Sequence, residues 1–306
     1  MNSNQNNYPS DTASSSAGRI NRRRFLRRAA LATGATATLA GSDLLLGPAK
    51  SSAQQTGDID PDILNFALNL EYLEAEYYLL AATGKGISAH GGGVSGTGTL
   101  GALTVKPDPR VPFESGFFAD LAFEIAKDEL AHVEFLRQAL GSYKVAQPAI
   151  DLLNSFNALA KAAGFAESFD PFASSINFLI GAFVFEDVGV TAYNGAAPLI
   201  TSKTYLGAAA SILAVEAYHA GIIRTSLYDL GSFFPADRIS HLRNELSGQG
   251  VTDEPIRIND KPNLVPADSN ALAFSRSTRE VLNIVYGGMG ATMGLFFPSG
   301  LNGTIH

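Results

Sequence analysis

The run Phe123-Glu-Ile-Ala-Lys-Asp-Glu-Leu-Ala-His-Val-Glu-Phe-Leu136 decides the fold, and within it the four residues from Glu129 to His132 matter most. Its apolar residues recur at helical spacing. On a helix, a spacing of three puts the Glu129 carboxylate and the His132 imidazole on one face, where both can reach a single ion. The pattern returns in Ser211-Ile-Leu-Ala-Val-Glu-Ala-Tyr-His-Ala220, with Glu216 three residues before His219. One Glu-x-x-His on a helix is weak evidence, since surface acids and core histidines are common. Two of them, on the most strongly helical stretches of the chain, form a pattern.

Upstream of each pair lies a further helical segment with a glutamate, Glu71 ahead of the first and Glu186 ahead of the second. The order Glu, Glu-x-x-His, Glu, Glu-x-x-His is the ligand order of di-iron and di-manganese four-helix bundles. Glu71 is followed seven residues later by Tyr78, and Glu186 seven residues later by Tyr193, so two half-bundles repeat one another. Glu71, Glu129, His132, Glu186, Glu216 and His219 are therefore the expected metal ligands, Glu71 and Glu186 serving one as a terminal and the other as a bridging carboxylate. Glu74, one turn beyond Glu71, is the reserve ligand. Tyr78 and Tyr193 are candidates to hydrogen-bond ligands across the bundle, while Tyr72, Tyr77 and Tyr218 read as packing residues. No catalytic residue is assigned.

Charge favours the metal reading. Glu186 and Glu216 sit in apolar surroundings, and four buried carboxylates carry a prohibitive desolvation cost unless cations neutralise them. Two divalent ions bring the cluster near neutrality. The chain has no cysteine, so ligands are O and N donors, which suits iron or manganese.

The rest of the chain falls into place around these motifs. The spacing predicts helices from Asp60-Pro61 to near Gly84, from Phe113 to Leu140, from Gln147-Pro148 to Ala163, from Phe172 to Ala196 and from Ser202 to Leu230, with Asp60 as the first N-cap. Between the first two lies a Gly-rich and Pro-rich loop containing His90, the candidate contact for a homo-oligomer. Beyond Gly231 the pattern predicts short helices at Pro235–Leu246 and Ser275–Tyr286 and an irregular tail, with His241 and His306 at the surface. The fold class is all-α: a four-helix bundle over about 61–230, additional short helices, and a C-terminal extension over 231–306, the whole of 54–306 forming one domain.

Residues 1–53 read as an address. Asn21-Arg-Arg-Arg-Phe-Leu-Arg-Arg28 precedes a mildly apolar run and Gly47-Pro-Ala-Lys-Ser-Ser-Ala53, the arrangement of a twin-arginine export signal. The run is too diluted by polar residues for a membrane anchor, and the expected destination is the periplasm or the extracellular space. That segment holds seven of the 22 Lys and Arg but two of the 29 acids, leaving the remainder at -12. Such a balance argues against nucleic acid as a partner.

With Asn69-Leu-Glu-Tyr-Leu-Glu-Ala-Glu-Tyr-Tyr-Leu-Leu80, Asp128-Glu-Leu-Ala-His-Val-Glu-Phe-Leu136 and Glu216-Ala-Tyr-His219, the chain resembles the ferritin-like superfamily. Phe274-Ser-Arg-Ser-Thr-Arg-Glu-Val-Leu-Asn-Ile-Val-Tyr286 and Phe296-Phe-Pro-Ser-Gly-Leu-Asn-Gly303 make it similar to the desiccation-related ferritin-like proteins of plants and bacteria. The resemblance implies a ferritin-like bundle and a role in stress. Two functions follow as expectations: a di-metal oxidoreductase acting on dioxygen, peroxide or ferrous iron (ferroxidase, peroxidase or manganese-catalase-like), or a protective structural protein that does not turn over substrate.

Overall fold

A computed structural model describes residues 58–248, 250 and 252–306; the export signal expected at 1–53 lies outside the described residues. Four long helices make the bundle: α1 (Asp60–Thr83), α2 (Gly116–Leu140), α4 (Ser175–Ala196) and α5 (Lys203–Asp229). A shorter α3 (Asn154–Ala163) lies in the connection between α2 and α4, and α6 (Phe233–Ser247) and α7 (Thr278–Tyr286) belong to the C-terminal extension.

Polar contacts at the helix ends fix the directions. Asn65, early in α1, accepts from Val145 N just past the end of α2, while Ala81 O, late in α1, accepts from Val111 N just before α2. The pair is antiparallel. Asp60 accepts from the backbone N–H groups of Thr201 (2.7 Å) and Ser202 (2.8 Å), so α1 and α5 start at the same end. Glu114, next to the start of α2, accepts from Ser175 N at the start of α4. The connection 141–174 therefore runs the length of the bundle, and the chain is laid out as two antiparallel pairs joined by a long crossover.

Local chemistry sets the boundaries. Ser115, Ser174 and Ser202 each cap a helix, accepting from the N–H three residues on. These serines start α2 and α4 later than their apolar periodicity alone predicts. Asp60 is not the cap of its own helix; it is the first helical residue, and its carboxylate satisfies free N–H groups near the start of α5 instead. Helix α3 also starts late. Residues Ile150–Asp151 pair in parallel with Leu103–Thr104, and Asp151 Oδ1 accepts from Leu153 N and Asn154 N, so the chain after Pro148 is extended and then turns.

Helices α1 and α4 are buried on nearly all sides. The extension is the reason. Phe296 packs edge-on against Phe185 and Phe156, Asn302 bonds to Asn69, and Arg276 N donates to Thr191 O. Helices α2 and α5 keep an exposed face, and on it Tyr218 is 77% exposed, not packed as its helical spacing suggests.

Candidate metal centre

The four bundle helices bring the six expected ligands together, all of them buried. They form two groups, Glu71, Glu129, His132 and Glu216 in one and Glu129, Glu186 and His219 in the other, with ligand atoms in each within 4.8 Å of one another. Nδ1 of His132 faces three carboxylates at once: Glu71 at 3.3 Å, Glu129 at 3.4 Å and Glu216 at 3.6 Å. Nδ1 of His219 lies 3.0 Å from Glu129 and 3.6 Å from Glu186. Each imidazole thus meets the glutamate of the other Glu-x-x-His pair. Glu129 is the carboxylate common to both groups.

The donor set fits cations. Among the described residues, ten buried side-chain polar atoms lack a hydrogen-bond partner, and six of them are Glu71 Oε2, Glu129 Oε1, Glu186 Oε2, both carboxylate oxygens of Glu216, and His219 Nδ1. Buried polar groups are seldom left unpaired. Here they converge, as metal donors do, and all are oxygen or nitrogen, a set suited to iron or manganese.

The electrostatics point the same way. Burial pushes the Glu71 carboxyl up to about 7 and that of Glu186 to about 8, with His132 and His219 respectively acting against the rise. Burial and neighbouring carboxylates push Glu216 well above the usual range. Burial acts on Glu129 in the same sense, yet the two imidazoles outweigh it and hold Glu129 below its ordinary value. Burial favours the neutral imidazoles, but Glu71 and Glu129 raise His132 to about 11, and Glu186 and Glu129 raise His219 to about 9. With only protein charges to balance them, the acids compete for protons that cations would displace.

Surrounding groups orient the donors. The Tyr78 hydroxyl on α1 donates to Glu186 on α4, and the Tyr193 hydroxyl on α4 donates to Glu71 on α1, a reciprocal pair across the bundle. Nε2 of His219 lies 3.2 Å from Asp128 Oδ2, which presents Nδ1 to the cluster and favours the tautomer with its proton on Nε2. Asp128 carried no assigned role in the sequence; its signal is a carboxylate one residue before the Glu-x-x-His, on the edge of the ligand face. Glu74 belongs to neither group. It is buried beside the cluster at the floor of two cavities of about 20 Å³ each, which it shares with Leu70 and Gly189. Arg224, one turn beyond His219, turns away from the cluster to pair with Asp187 at 2.7 Å.

A bundle of this layout with carboxylates and imidazoles at its centre defines the ferritin-like class, and the chain belongs to it: the ferritin-like domain family matches residues 59–229, more than half of its length. Within that class it is a relative of the desiccation-related proteins. It is 31% identical over 253 residues to the desiccation-related protein PCC13-62 of Craterostigma plantagineum, covering 73% of this chain and 76% of that one. It is 26% identical over 271 residues to the ferritin-like catalase Nec2 of Nesocodon mauritianus, covering 81% and 85%. No solved structure matches the chain.

Proposed function

We propose that the cluster holds two divalent ions, iron or manganese, and that the protein disproportionates hydrogen peroxide, two molecules giving two waters and one dioxygen. The observation that carries this reading is the convergence of unpaired buried carboxylate oxygens on two imidazoles, with Glu129 common to both groups. The similarity to a ferritin-like catalase supports peroxide as the substrate. When bound, a redox-active metal pair supplies the reversible electron storage that this reaction needs.

The chain's own residues have separable tasks. Glu71, Glu129, His132 and Glu216 would hold one ion, and Glu129, Glu186 and His219 the other. Asp128 keeps the His219 ring oriented, and Tyr78 and Tyr193 fix the free rotation of Glu186 and Glu71. The cavities beside Glu74 have room for about one water-sized molecule each, which favours a small substrate over an organic reductant. Arg22 to Arg28 and the small-residue run after them support export by the twin-arginine route to the periplasm or the extracellular space, where the protein would act in stress protection.

The test is metal analysis of the purified full chain, followed by dioxygen release from peroxide and ferrous-iron oxidation, each with Glu129→Ala and His219→Ala. The expected result is two ions per chain and dioxygen release in the parent, loss of the metal and of the release in Glu129→Ala, and loss of the release with at least one ion missing in His219→Ala. Ferrous oxidation without dioxygen release would reassign the substrate to iron. Full metal with no turnover of either would leave a protective, non-enzymatic protein, the role that the similarity to a desiccation-related protein favours.

A further inference from the structure

The C-terminal extension walls a larger cavity than the two beside Glu74, separate from the metal cluster and lined by different residues. It has a volume of about 110 Å³ and lies between α4, α5 and the segment 252–274. Its walls are apolar, among them Val190, Ala220, Leu264, Pro266 and Phe274. Val265, also part of the lining, is 81% exposed, so one side opens to solvent.

The polar end of the cavity has acceptors to spare and few free donors. Arg224 donates from Nη1 to Asp187 Oδ2 (2.7 Å), from Nη2 to the carbonyls of Pro255 (2.9 Å) and Asn263 (2.7 Å), and from Nε to Asn263 O (3.2 Å). Behind it, Arg243 pairs with Asp187 and Asp253, and Arg276 with Asp253. Three guanidinium groups thus stand against the carboxylates of Asp187, Asp253 and Glu254, and this end of the cavity carries no net formal charge. Yet among the described residues Asp187 takes both of its arginines on Oδ2 and accepts nothing on Oδ1. Glu254 takes the Asn263 amide on Oε2 and, from the described residues, nothing on Oε1. The Thr252 hydroxyl is buried with no partner among the described residues.

We propose that this cavity binds a small neutral organic hydroxyl compound, of the size of a phenol or a short branched alcohol. The ligand hydroxyl would donate to Asp187 Oδ1 and accept from the Thr252 hydroxyl, with its carbon skeleton against the apolar walls. Anions are disfavoured because the arginines are already engaged and the free groups are carboxylate oxygens. Cations are disfavoured because the arginines cancel the acids. Water alone would satisfy the polar end but leave the apolar walls wet. The volume is somewhat below the roughly 150 Å³ that encloses a benzene ring, and the open side lets part of a ring protrude.

The test is a fluorine NMR titration of the full chain with 4-fluorophenol, with fluorobenzene, 4-fluorobenzoate and 4-fluorobenzylamine as comparisons. The phenol is expected to saturate with a dissociation constant of about a millimolar or tighter, and the other three to bind about tenfold more weakly. Thr252→Val removes the hydroxyl at constant shape and should weaken the phenol about fivefold. Ala217→Leu, on the exposed face of α5 at the cavity lining, should abolish saturation in a protein whose melting temperature is unchanged. His219→Ala should bind as the parent does whatever its metal content, which separates this site from the metal reading. No saturation by the phenol (a cavity filled by water only), saturation that survives Ala217→Leu, or tighter binding of the amine or the carboxylate than of the phenol would each overturn the proposal.

Discussion

Among the described residues, Glu129 is the one side chain that faces both imidazoles, at 3.4 Å from His132 and 3.0 Å from His219. Its replacement should therefore cost both ions and not one. Glu129→Gln keeps the size of the side chain and removes its charge; the expected outcome is loss of bound metal with helical content unchanged, read by metal analysis and circular dichroism. Asp128→Asn is a finer change. It weakens the acceptor on Nε2 of His219 without touching the cluster, and loss of a group that orients a metal-binding imidazole reduces metal affinity by about 10–100-fold. Metal competition with a chelator should give that loss for Asp128→Asn, while Glu134→Gln, on the same helix but bonded to Gly93 N, leaves the affinity unchanged. At this scale the sequence was legible where spacing forces a shared helix face, as with Glu129 and His132, or Glu216 and His219. It was not legible for Asp128, one acid among several on an exposed helix edge, nor for which carboxylate is shared. Both depend on how α2 and α5 are rotated against each other, which no single helix specifies.

Among the elements, the approach of α4 to α1 and α5 is held by a missing side chain. A Cβ at Gly189 would run into Glu216 Oε2 and touch Glu74 Oε1. Gly189→Ala thus has two opposed effects. Alanine is the better helix former by about 1 kcal/mol, but its methyl group displaces the Glu216 carboxylate. We expect the metal-depleted variant to unfold within about 1 kcal/mol of the parent, because the displaced group is the end of a flexible side chain. Its metal affinity should fall more than about tenfold. Equal affinity in chelator competition would show that Glu216 is dispensable. The long helices were readable from apolar periodicity, and the serine caps explain why α2 and α4 start later than that periodicity suggests. The local pattern overextends helix α3 because Ile150–Asp151 pairs with a strand from the loop before α2, a distant contact that leaves no mark on it. The segments Ser175–Leu199 and Lys203–Asp229 are also long and apolar enough to cross a bilayer; the first is mostly enclosed in the bundle, the second keeps an exposed face, and each carries acids of the metal cluster on its buried side.

For the whole molecule, the extension after α5 converts a bundle with two greasy central helices into a closed structure, and buried ion pairs make the junction. Asp253, from the extension, meets Arg243 on α6 and Arg276 just before α7, while Asp187 on α4 meets Arg243 and Arg224. Removing one partner of such a network strands the others, at a cost of about 3–5 kcal/mol; Asp253→Asn should lower stability by that order. The pH dependence follows from the same contacts. Burial acts to raise the Asp253 carboxyl, but Arg243, Arg276 and the Ser240 hydroxyl outweigh it and hold it below its ordinary value of 3.8. The unfolded chain therefore takes up this proton at a higher pH than the folded one. The contribution of Asp253 is complete above pH 3.8 and is lost as pH falls through the lower folded value. Urea midpoints of the metal-depleted protein, compared between parent and Asp253→Asn, should show a gap that is constant above about pH 5 and narrows below pH 3.8. A gap that stays constant to lower pH would mean that the arginines do not stabilise the ionised carboxylate, and that the extension is held on the bundle by its apolar contacts alone.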